Sequence, residues 1–422
     1  MNPATSGNKF RRRILAPLIF CLLSSTCLCQ CSSGGQDKYD EVSALMKERK
    51  WSEAVALCDK QLQQTPVDSF YYAYRGVSER EQGDFEKAKA DLLKSVEANP
   101  KTGWCYRELG VTFLREGKYK KAIEYLSKAK ELETDKSHMP FILSSIALAD
   151  LNLRNYEKAL EGADEAIKLA PNISYGYLTR AQLYLDTFEY EKAFADANKA
   201  VELDDKSPRA YTLRAWIYLE SDDWRKAKQD SERALQINKD FWEATEMLSA
   251  IAIASGNTEE ASELAEQLTK RFPDAAVGYA DKASCLMVKG ELKEAQALAE
   301  KALSLQPESA RALQIGVLIA ARNGDKTKLA NLIERLKAAY DGDDRKVAMS
   351  EALVSIVLKD YPRAVRLMTP QVERYSKAPR EYRLRAEAYS RMNKQDLADA
   401  DMKKALEQKY SKVSIFEQYL KM

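Results

Sequence analysis

The phrase Gly83-Asp84-Phe85-Glu86-Lys87-Ala88 recurs with small changes along most of the chain. It returns as Gly117-Lys118-Tyr119-Lys120-Lys121-Ala122 and, shortened, as Asp223-Trp224-Arg225-Lys226-Ala227. The step from Phe85 to Tyr119, and from Tyr190 to Trp224, is 34 residues. Self-similarity at a fixed period of this length predicts an array of similar structural units rather than separate globular domains.

Each unit repeats a pattern of small and large side chains. We number the unit so that the recurring aromatic residue is position 17 and the alanine after it is position 20. Small residues at positions 8, 20 and 27 would let two antiparallel helices approach closely, while large residues at positions 4, 11, 17 and 24 would fill the space around them. Proline at position 32 cannot continue a helix and therefore ends the unit. Position 8 is Gly76, Gly110, Ala147, Ala181, Ala215, Ala283, Ala352 and Ala386; position 32 is Pro66, Pro100, Pro171, Pro273 and Pro307.

These positions resemble the signature of the tetratricopeptide repeat. The resemblance runs from about Gly35 to Lys412, and its register slips by three residues at 137–139 and by one near Asp344. It implies an all-α fold: a right-handed superhelical solenoid of about eleven helix-turn-helix units over residues 37–410, followed by a C-terminal capping helix over 411–422. A single unit cannot bury its apolar face alone, so the units are expected to stack into one array.

Two units fit the pattern poorly. The ninth, residues 310–343, has Lys326 and Leu329 where an aromatic residue and alanine belong. The tenth carries Pro370 within its second helix, which predicts a kink or a split there. An ordinary loop is expected near residue 341, with a hinge as the alternative.

The first 36 residues have the pattern of an export signal and a tether. Lys9 and three arginines precede residues 14–29, an apolar run without a charge that is too short for a comfortable membrane-spanning helix. Leu28-Cys29-Gln30-Cys31 resembles a bacterial lipobox. This implies a lipoprotein signal peptide over 1–30, lipidation of Cys31, and a flexible Ser/Gly tether over 31–36. The lipid would anchor the chain to a bacterial membrane, facing away from the cytoplasm, and Ser32 favours the outer membrane. A soluble periplasmic or secreted protein and an uncleaved anchor remain alternatives.

An ion pair is predicted within four of the units. These four have arginine at position 7 and aspartate at position 23, whereas the other seven have neither residue at these positions. Positions 7 and 23 lie on facing helices, so a direct contact is the simplest explanation, although duplication of one ancestral unit would copy both residues without a contact. The predicted pairs are Arg75 with Asp91, Arg180 with Asp196, Arg214 with Asp230, and Arg385 with Asp401.

The family resemblance also implies a partner-binding groove. In the family, positions 2, 5, 9 and 12 of each first helix line a concave groove, and here these positions are largely apolar and aromatic. Exposed apolar surface of this size usually marks a protein-binding site, although packing between neighbouring first helices would also explain it. The predicted groove residues are Trp104, Arg107, Phe141, Leu148, Tyr175, Leu178, Arg209 and Trp216. In the eleventh unit, Arg380, Arg383 and Arg391 would form a basic rim, or simply a solvated face.

Nothing in the sequence indicates catalysis. It contains no phosphate-binding loop, nucleophile elbow, zinc motif or second domain, so neither an enzyme, a cofactor nor a small-molecule substrate is expected. The net charge of +2 gives no reason to expect nucleic acid. The predicted function is a scaffold or adaptor that binds protein or peptide segments at a bacterial cell envelope. The rival hypothesis is an accessory subunit of an envelope enzyme or of a secretion or assembly machine.

Overall fold

The computed structural model describes residues 38–220, 223–273, 275–340, 343–376 and 379–407, and these residues form helices without a strand. The helices alternate as the first and second members of eleven pairs, so the predicted all-α array of helix-turn-helix units is confirmed. The first helices are α1 (Asp40–Lys47), α3 (Ser69–Glu81), α5 (Gly103–Arg115), α7 (Met139–Asn152), α9 (Ser174–Asp186), α11 (Pro208–Glu220), α13 (Trp242–Ser255), α15 (Ala276–Lys289), α17 (Ala310–Asn323), α19 (Asp344–Val357) and α21 (Pro379–Arg391). The second helices are α2 (Trp51–Gln64), α4 (Phe85–Ala98), α6 (Tyr119–Leu132), α8 (Tyr156–Leu169), α10 (Tyr190–Leu203), α12 (Trp224–Ile237), α14 (Thr258–Arg271), α16 (Leu292–Leu305), α18 (Lys326–Tyr340), α20 (Tyr361–Arg374) and α22 (Gln395–Glu407).

Small residues at position 8 bring the two helices of a pair together. A Cβ atom added to Gly110 of α5 would lie 2.7 Å from Leu126 Cγ of α6, and one added to Gly76 would lie 2.9 Å from the carbonyl oxygen of Ala88. The turn between the paired helices uses Gly117 in the left-handed region, with φ of 77°. This conformation costs glycine little and most other residues much. The sequence pattern therefore sets both the helix spacing and the turn.

The helix pairs divide into two compact units. Among the described residues, the N-terminal unit comprises 38–187 and 191–204, and the C-terminal unit comprises 188–190 together with the residues from 205 onward. Leu109, Leu126 and Phe141 belong to a core of the N-terminal unit. Leu313, Leu336 and Leu353 belong to the core of the C-terminal unit.

Two expectations about the irregular repeats can be compared with the structure. Helix α20 continues through Pro370 without a break, so the predicted split is absent. The register slip before the fourth repeat is taken up by a 3₁₀ turn over Lys136–His138. The loop expected near residue 341, the signal peptide, the tether with Cys31, and the capping helix over 411–422 lie outside the described residues.

Candidate partner-binding face

The first helices of the N-terminal unit carry a row of aromatic rings. We call the side of the first helices formed by positions 2, 5, 9 and 12 the inner face. The Phe70 and Trp104 rings stack with centroids 5.7 Å apart and an interplanar angle of 16°. Farther along, the Phe141 ring meets Tyr175 edge-on at 5.5 Å. Phe70, Trp104 and Tyr175 remain only half-buried. These rings give neighbouring repeats a shared apolar surface of defined geometry.

Burial of the predicted groove residues differs from the open trough expected from the sequence. Trp104, Tyr175 and Trp216 are half-buried. The other five are nearly inaccessible, with exposed fractions of 1–3%: Arg107, Phe141, Leu148, Leu178 and Arg209. Phe141 and Leu148 belong to the apolar core of the N-terminal unit, which accounts for their burial. Phe141 and Leu148 therefore fit the alternative expectation, packing between neighbouring first helices, rather than an open groove surface.

Arg107 is the most unusual of these residues, because it is a buried cation on an apolar face. Its Nε and Nη2 atoms each donate to Glu108 Oε1 at 3.1 Å, and its guanidinium lies over the Phe141 ring at 5.6 Å. Within the described residues its Nη1 atom has no hydrogen-bond partner. A buried donor without a partner costs about 1–3 kcal/mol, more when it is charged. The sequence placed Arg107 at the groove but gave no sign of this vacant donor.

A network of buried and half-buried charges extends from Arg107 along α5 and α3. Arg80 Nη1 donates to Glu108 Oε2 at 3.1 Å, and Arg115 Nη1 donates to Glu81 Oε1 at 2.7 Å. Arg80 Nε also lies 3.3 Å from Glu81, which joins the two pairs. Burial acts to raise the pKa of Glu108, but the charges of Arg107 and Arg80 outweigh it and lower that pKa. Three arginines and two glutamates are thus joined in one network, in which Glu81 is the most exposed member, with 20% of its side chain accessible.

In the C-terminal unit the predicted groove residues have a different setting. Trp216 packs beside Met247 and Ile251 of the next repeat.

The expected basic rim of the eleventh repeat is neutralised within the chain, because Arg380 forms an ion pair with Glu220 and Arg391 Nε donates to Glu387 at 2.9 Å. Arg383 is buried. This rim is therefore neither a free basic patch nor a simple solvated face.

All four arginines at position 7 contact the aspartate at position 23 of their own repeat. Each donates two hydrogen bonds in a fork, one from Nε and one from Nη2. For Arg214 and Asp230 the two distances are 2.7 and 2.8 Å. The arginine side chains are 15–23% exposed and the aspartates 7–10%, so these pairs are partly shielded from water. The other pairs are Arg75 with Asp91, Arg180 with Asp196, and Arg385 with Asp401.

The same arginines make contacts that the sequence reasoning missed. Arg180 Nη1 reaches Asp164 of the preceding repeat at 2.7 Å, so the arginine links two repeats as well as two helices. Its guanidinium also lies between Tyr177 and Tyr184, 5.9 Å from each ring centroid. Tyrosines at positions 4 and 11 flank Arg214 and Arg385 in the same way. The signal was present in the sequence, since tyrosine accompanies arginine at fixed spacing in these repeats.

The second repeat has Glu79 where the others have the second tyrosine. Glu79 is 8% exposed, and its Oε2 atom has no hydrogen-bond partner among the described residues. Burial, followed by the nearby charge of Asp91, raises the pKa of Glu79 to about 7. Glu79 therefore titrates near neutral pH beside the Arg75–Asp91 pair.

Comparison with known proteins places this repeat architecture in a family. Family models described as tetratricopeptide repeat match residues 75–135, 175–207, 218–285 and 252–316. The matched ranges cover helices of both compact units. The chain is a tetratricopeptide repeat protein.

This tetratricopeptide repeat protein is similar to curated proteins over short stretches only. It is 22% identical over 138 residues to anaphase-promoting complex subunit 3 of Schizosaccharomyces pombe, covering 33% of this chain and 20% of that protein. It is 29% identical over 113 residues to the peptidyl-prolyl cis-trans isomerase FKBP4 of Rattus norvegicus, covering 24% and 25%. The chain thus spans a quarter or less of the length of these relatives.

Solved structures similar to this tetratricopeptide repeat protein include bacterial and yeast proteins. A tetratricopeptide repeat protein from Parabacteroides merdae matches with 20% identity and a TM-score of 0.46, covering 61% of this chain and 97% of that one. Yeast Tom70 matches with 13% identity and a TM-score of 0.47, covering 87% and 97%. Among the described residues of this tetratricopeptide repeat protein, no helix has the length and apolar character needed to cross a membrane.

Proposed function

We propose that this tetratricopeptide repeat protein is a protein-binding scaffold or adaptor, lipid-anchored through Cys31 at a bacterial cell envelope and facing away from the cytoplasm. The observation that carries the binding role is the row of half-buried rings on the inner face of the N-terminal unit. Trp104 and Tyr175 keep part of each ring accessible while their neighbours hold them in place. Rigid aromatic anchors of this kind supply much of the free energy in protein interfaces.

Membership of the tetratricopeptide repeat family supports a binding role. The matched protein of Schizosaccharomyces pombe is by name a subunit of a complex. The rival function, an accessory subunit of an envelope enzyme or machine, would use the same inner face.

Replacing Trp104 and Tyr175 together by alanine tests the binding role. Partners would be cross-linked in the native membrane, recovered with the tagged chain and identified by mass spectrometry. The double variant should lose them, because each truncated anchor costs about 2 kcal/mol of binding. The control is Leu93→Ala with Leu169→Ala, since these side chains are 37% and 52% exposed on second helices. Unchanged capture by Trp104→Ala/Tyr175→Ala, with helical content retained, would place binding elsewhere. Recovery of a single enzyme whose rate the chain alters would favour the accessory role.

Replacing Cys31 by alanine tests the anchor separately. Leu28 and the Ser/Gly stretch after Cys31 lead us to expect that Cys31→Ala prevents lipidation and releases the chain from membranes. Cys29→Ala is the matched control and should remain membrane-bound. Fractionation after labelling with a radioactive fatty acid distinguishes the two. Cys31→Ala protein that stays in membranes and still incorporates label would refute the assignment.

A further inference from the structure

Phe188 has a backbone conformation that phenylalanine rarely adopts. It lies in the turn between α9 and α10, and its φ is 63°, in the left-handed region. Five other repeats have glycine at the same position of this turn, at residues 83, 117, 256, 290 and 324. A bulky side chain is strained in this region, whereas glycine is not. Such strain persists only where the surrounding structure holds the residue in place, so a contact of the Phe188 ring is expected to compensate it.

The Phe188 ring contacts an arginine of the tenth repeat. Residues 188–190 belong to the C-terminal unit, and the guanidinium of Arg345 on α19 lies over the ring, 4.3 Å from its centroid. Arg345 also lies 5.5 Å from the centroid of the Tyr375 ring and forms an ion pair with Glu381 of α21. The Arg345 side chain is only 17% exposed. A cation shielded from water in this way is attracted to an aromatic face more strongly than an exposed one.

A second contact joins the sixth repeat to the eleventh. Glu220, the last residue of α11, forms an ion pair with Arg380 on α21. The Glu220 side chain is 6% exposed, so the pair is largely shielded on the acidic side. These repeats are the first and the last in the described part of the C-terminal unit. In a simple stack each repeat contacts only its neighbours, so this ion pair closes the C-terminal unit on itself.

A third arginine makes a shorter contact of the same kind. Arg311 Nε lies 2.6 Å from an oxygen of Asp281 on α15, and Arg311 Nη1 lies 3.7 Å from Glu246 on α13, two repeats back. Each of the three arginines is the second residue of its helix, in α17, α19 and α21. Each therefore binds a partner in an earlier repeat from the same place in its own.

We propose that Phe188, Glu220, Arg345 and Arg380 form a clasp that holds the C-terminal unit closed and can be released. While the clasp is closed, the sixth and eleventh repeats are held together, and a partner segment cannot pass between them to the inner face of α13, α15 and α17. Both contacts of the clasp are electrostatic. Salt, or a charged partner that competes for the two arginines, therefore releases it.

Replacing Phe188 by glycine separates the clasp from the local turn. Phe188→Gly removes the ring over Arg345 but gives the turn the residue that five other repeats use, so the turn itself should be at least as stable. Phe188→Tyr keeps an aromatic ring and should behave like the parent. Arg49→Gly is the matched control, because exposed Arg49 has a φ of 58° at the same position of the first repeat.

Amide hydrogen exchange in the full-length chain measures the effect of each substitution. We expect exchange in α19 and α21 to be at least about tenfold faster in Phe188→Gly than in the parent, Phe188→Tyr or Arg49→Gly. Exchange in α9 and α10, beside the substituted turn, should be no faster. Glu220→Gln, which removes the charge but keeps the size of the side chain, should also speed exchange in α21. Equal exchange in α19 and α21 of all the chains would overturn the clasp. Faster exchange confined to α9 and α10 would overturn it as well, because Phe188 would then serve only its own turn.

A distance measurement tests the closure itself. Nitroxide labels on Arg225→Cys of α12 and Lys394→Cys beside α22, both at exposed positions, report the separation of the sixth and eleventh repeats by pulsed electron resonance. Phe188→Gly with Glu220→Gln should shift the distances between the labels to longer values and broaden their distribution. An unchanged distribution would overturn the closure. Neither measurement involves a partner, so the clasp and the proposed function can fail independently.

Discussion

Removing one member of a position 7–23 ion pair should destabilise the C-terminal unit far more than removing both. Arg214→Leu deletes two hydrogen bonds, of 2.7 and 2.8 Å, and leaves the Asp230 carboxylate about 90% buried without its cation. Exposed pairs contribute about 0–1 kcal/mol, and breaking a fully buried pair costs about 3–5 kcal/mol. Because Arg214 is 19% exposed, we expect a loss of about 2–3 kcal/mol.

The seventh repeat supplies the design of the double variant. This repeat forms the same kind of helix pair as the sixth, but it has Leu248 at position 7 and Leu264 at position 23. Arg214→Leu with Asp230→Leu copies this apolar solution, so its stability should be within about 1 kcal/mol of the parent. The coupling energy between the two positions should then be about 2 kcal/mol or more.

Urea unfolding followed by circular dichroism measures the global effect, and hydrogen exchange in α11 and α12 measures the local one. Arrays of repeats can unfold in parts, so the local measurement guards against a transition that is not two-state. Arg225→Leu, an exposed arginine on α12, is the control and should change stability by less than about 0.5 kcal/mol. A cost below about 1 kcal/mol for Arg214→Leu would refute the reasoning. A double variant whose loss of stability equals the sum of the losses in the two single variants would also refute it.

Two further predictions concern the N-terminal half of the array and its packing. Gly110→Ala should lower the free energy of unfolding in urea by about 1–3 kcal/mol, because the new Cβ would lie 2.7 Å from Leu126 Cγ. Gly316→Ala is the control and should be neutral or stabilising, because the nearest atom to its new Cβ would be a flexible leucine methyl at 3.3 Å. Equal effects of the two substitutions would contradict the argument that Gly110 is needed for close approach of the helices. In the folded state the Glu79 carboxyl keeps its proton up to about pH 7, whereas in the unfolded chain it releases the proton above about pH 4.5. The stability that Glu79 contributes therefore falls as the pH rises from about 4.5 to 7, and is lost above pH 7. Glu79→Gln should therefore stabilise the chain more at pH 8 than at pH 5, and a pH-independent difference would contradict this.

The helical array and its ion pairs could be predicted because they are repeated. Eleven copies of one pattern provide an internal comparison, so small residues at position 8 and the joint occurrence of arginine and aspartate stand out from a single sequence. The contact from Arg180 to Asp164 was missed because the reasoning treated each repeat alone. The flanking tyrosines were assigned only to filling space, although a guanidinium between two rings also gains cation–π attraction.

Burial on the inner face could not be predicted with the same certainty. Helical periodicity tells which side of a first helix Phe141 and Leu148 occupy, but not how closely the next repeat packs against that side. The distance between neighbouring first helices depends on side chains of both repeats. The vacant donor on Arg107 is likewise invisible in the sequence, because it depends on where Glu108 and Arg80 meet in space.

Site-specific cross-linking in cells tests the central claim, that the inner face of the N-terminal unit binds a protein partner. A photo-reactive phenylalanine derivative would replace Phe70, which stacks on Trp104 on the inner face, or, as a control, exposed Leu93 on α4, in the processed chain. The account predicts that position 70 forms discrete adducts with one protein or a few proteins, and that position 93 forms adducts with none of them. Adducts formed only from position 93, or none from position 70 in abundant processed protein, would contradict it.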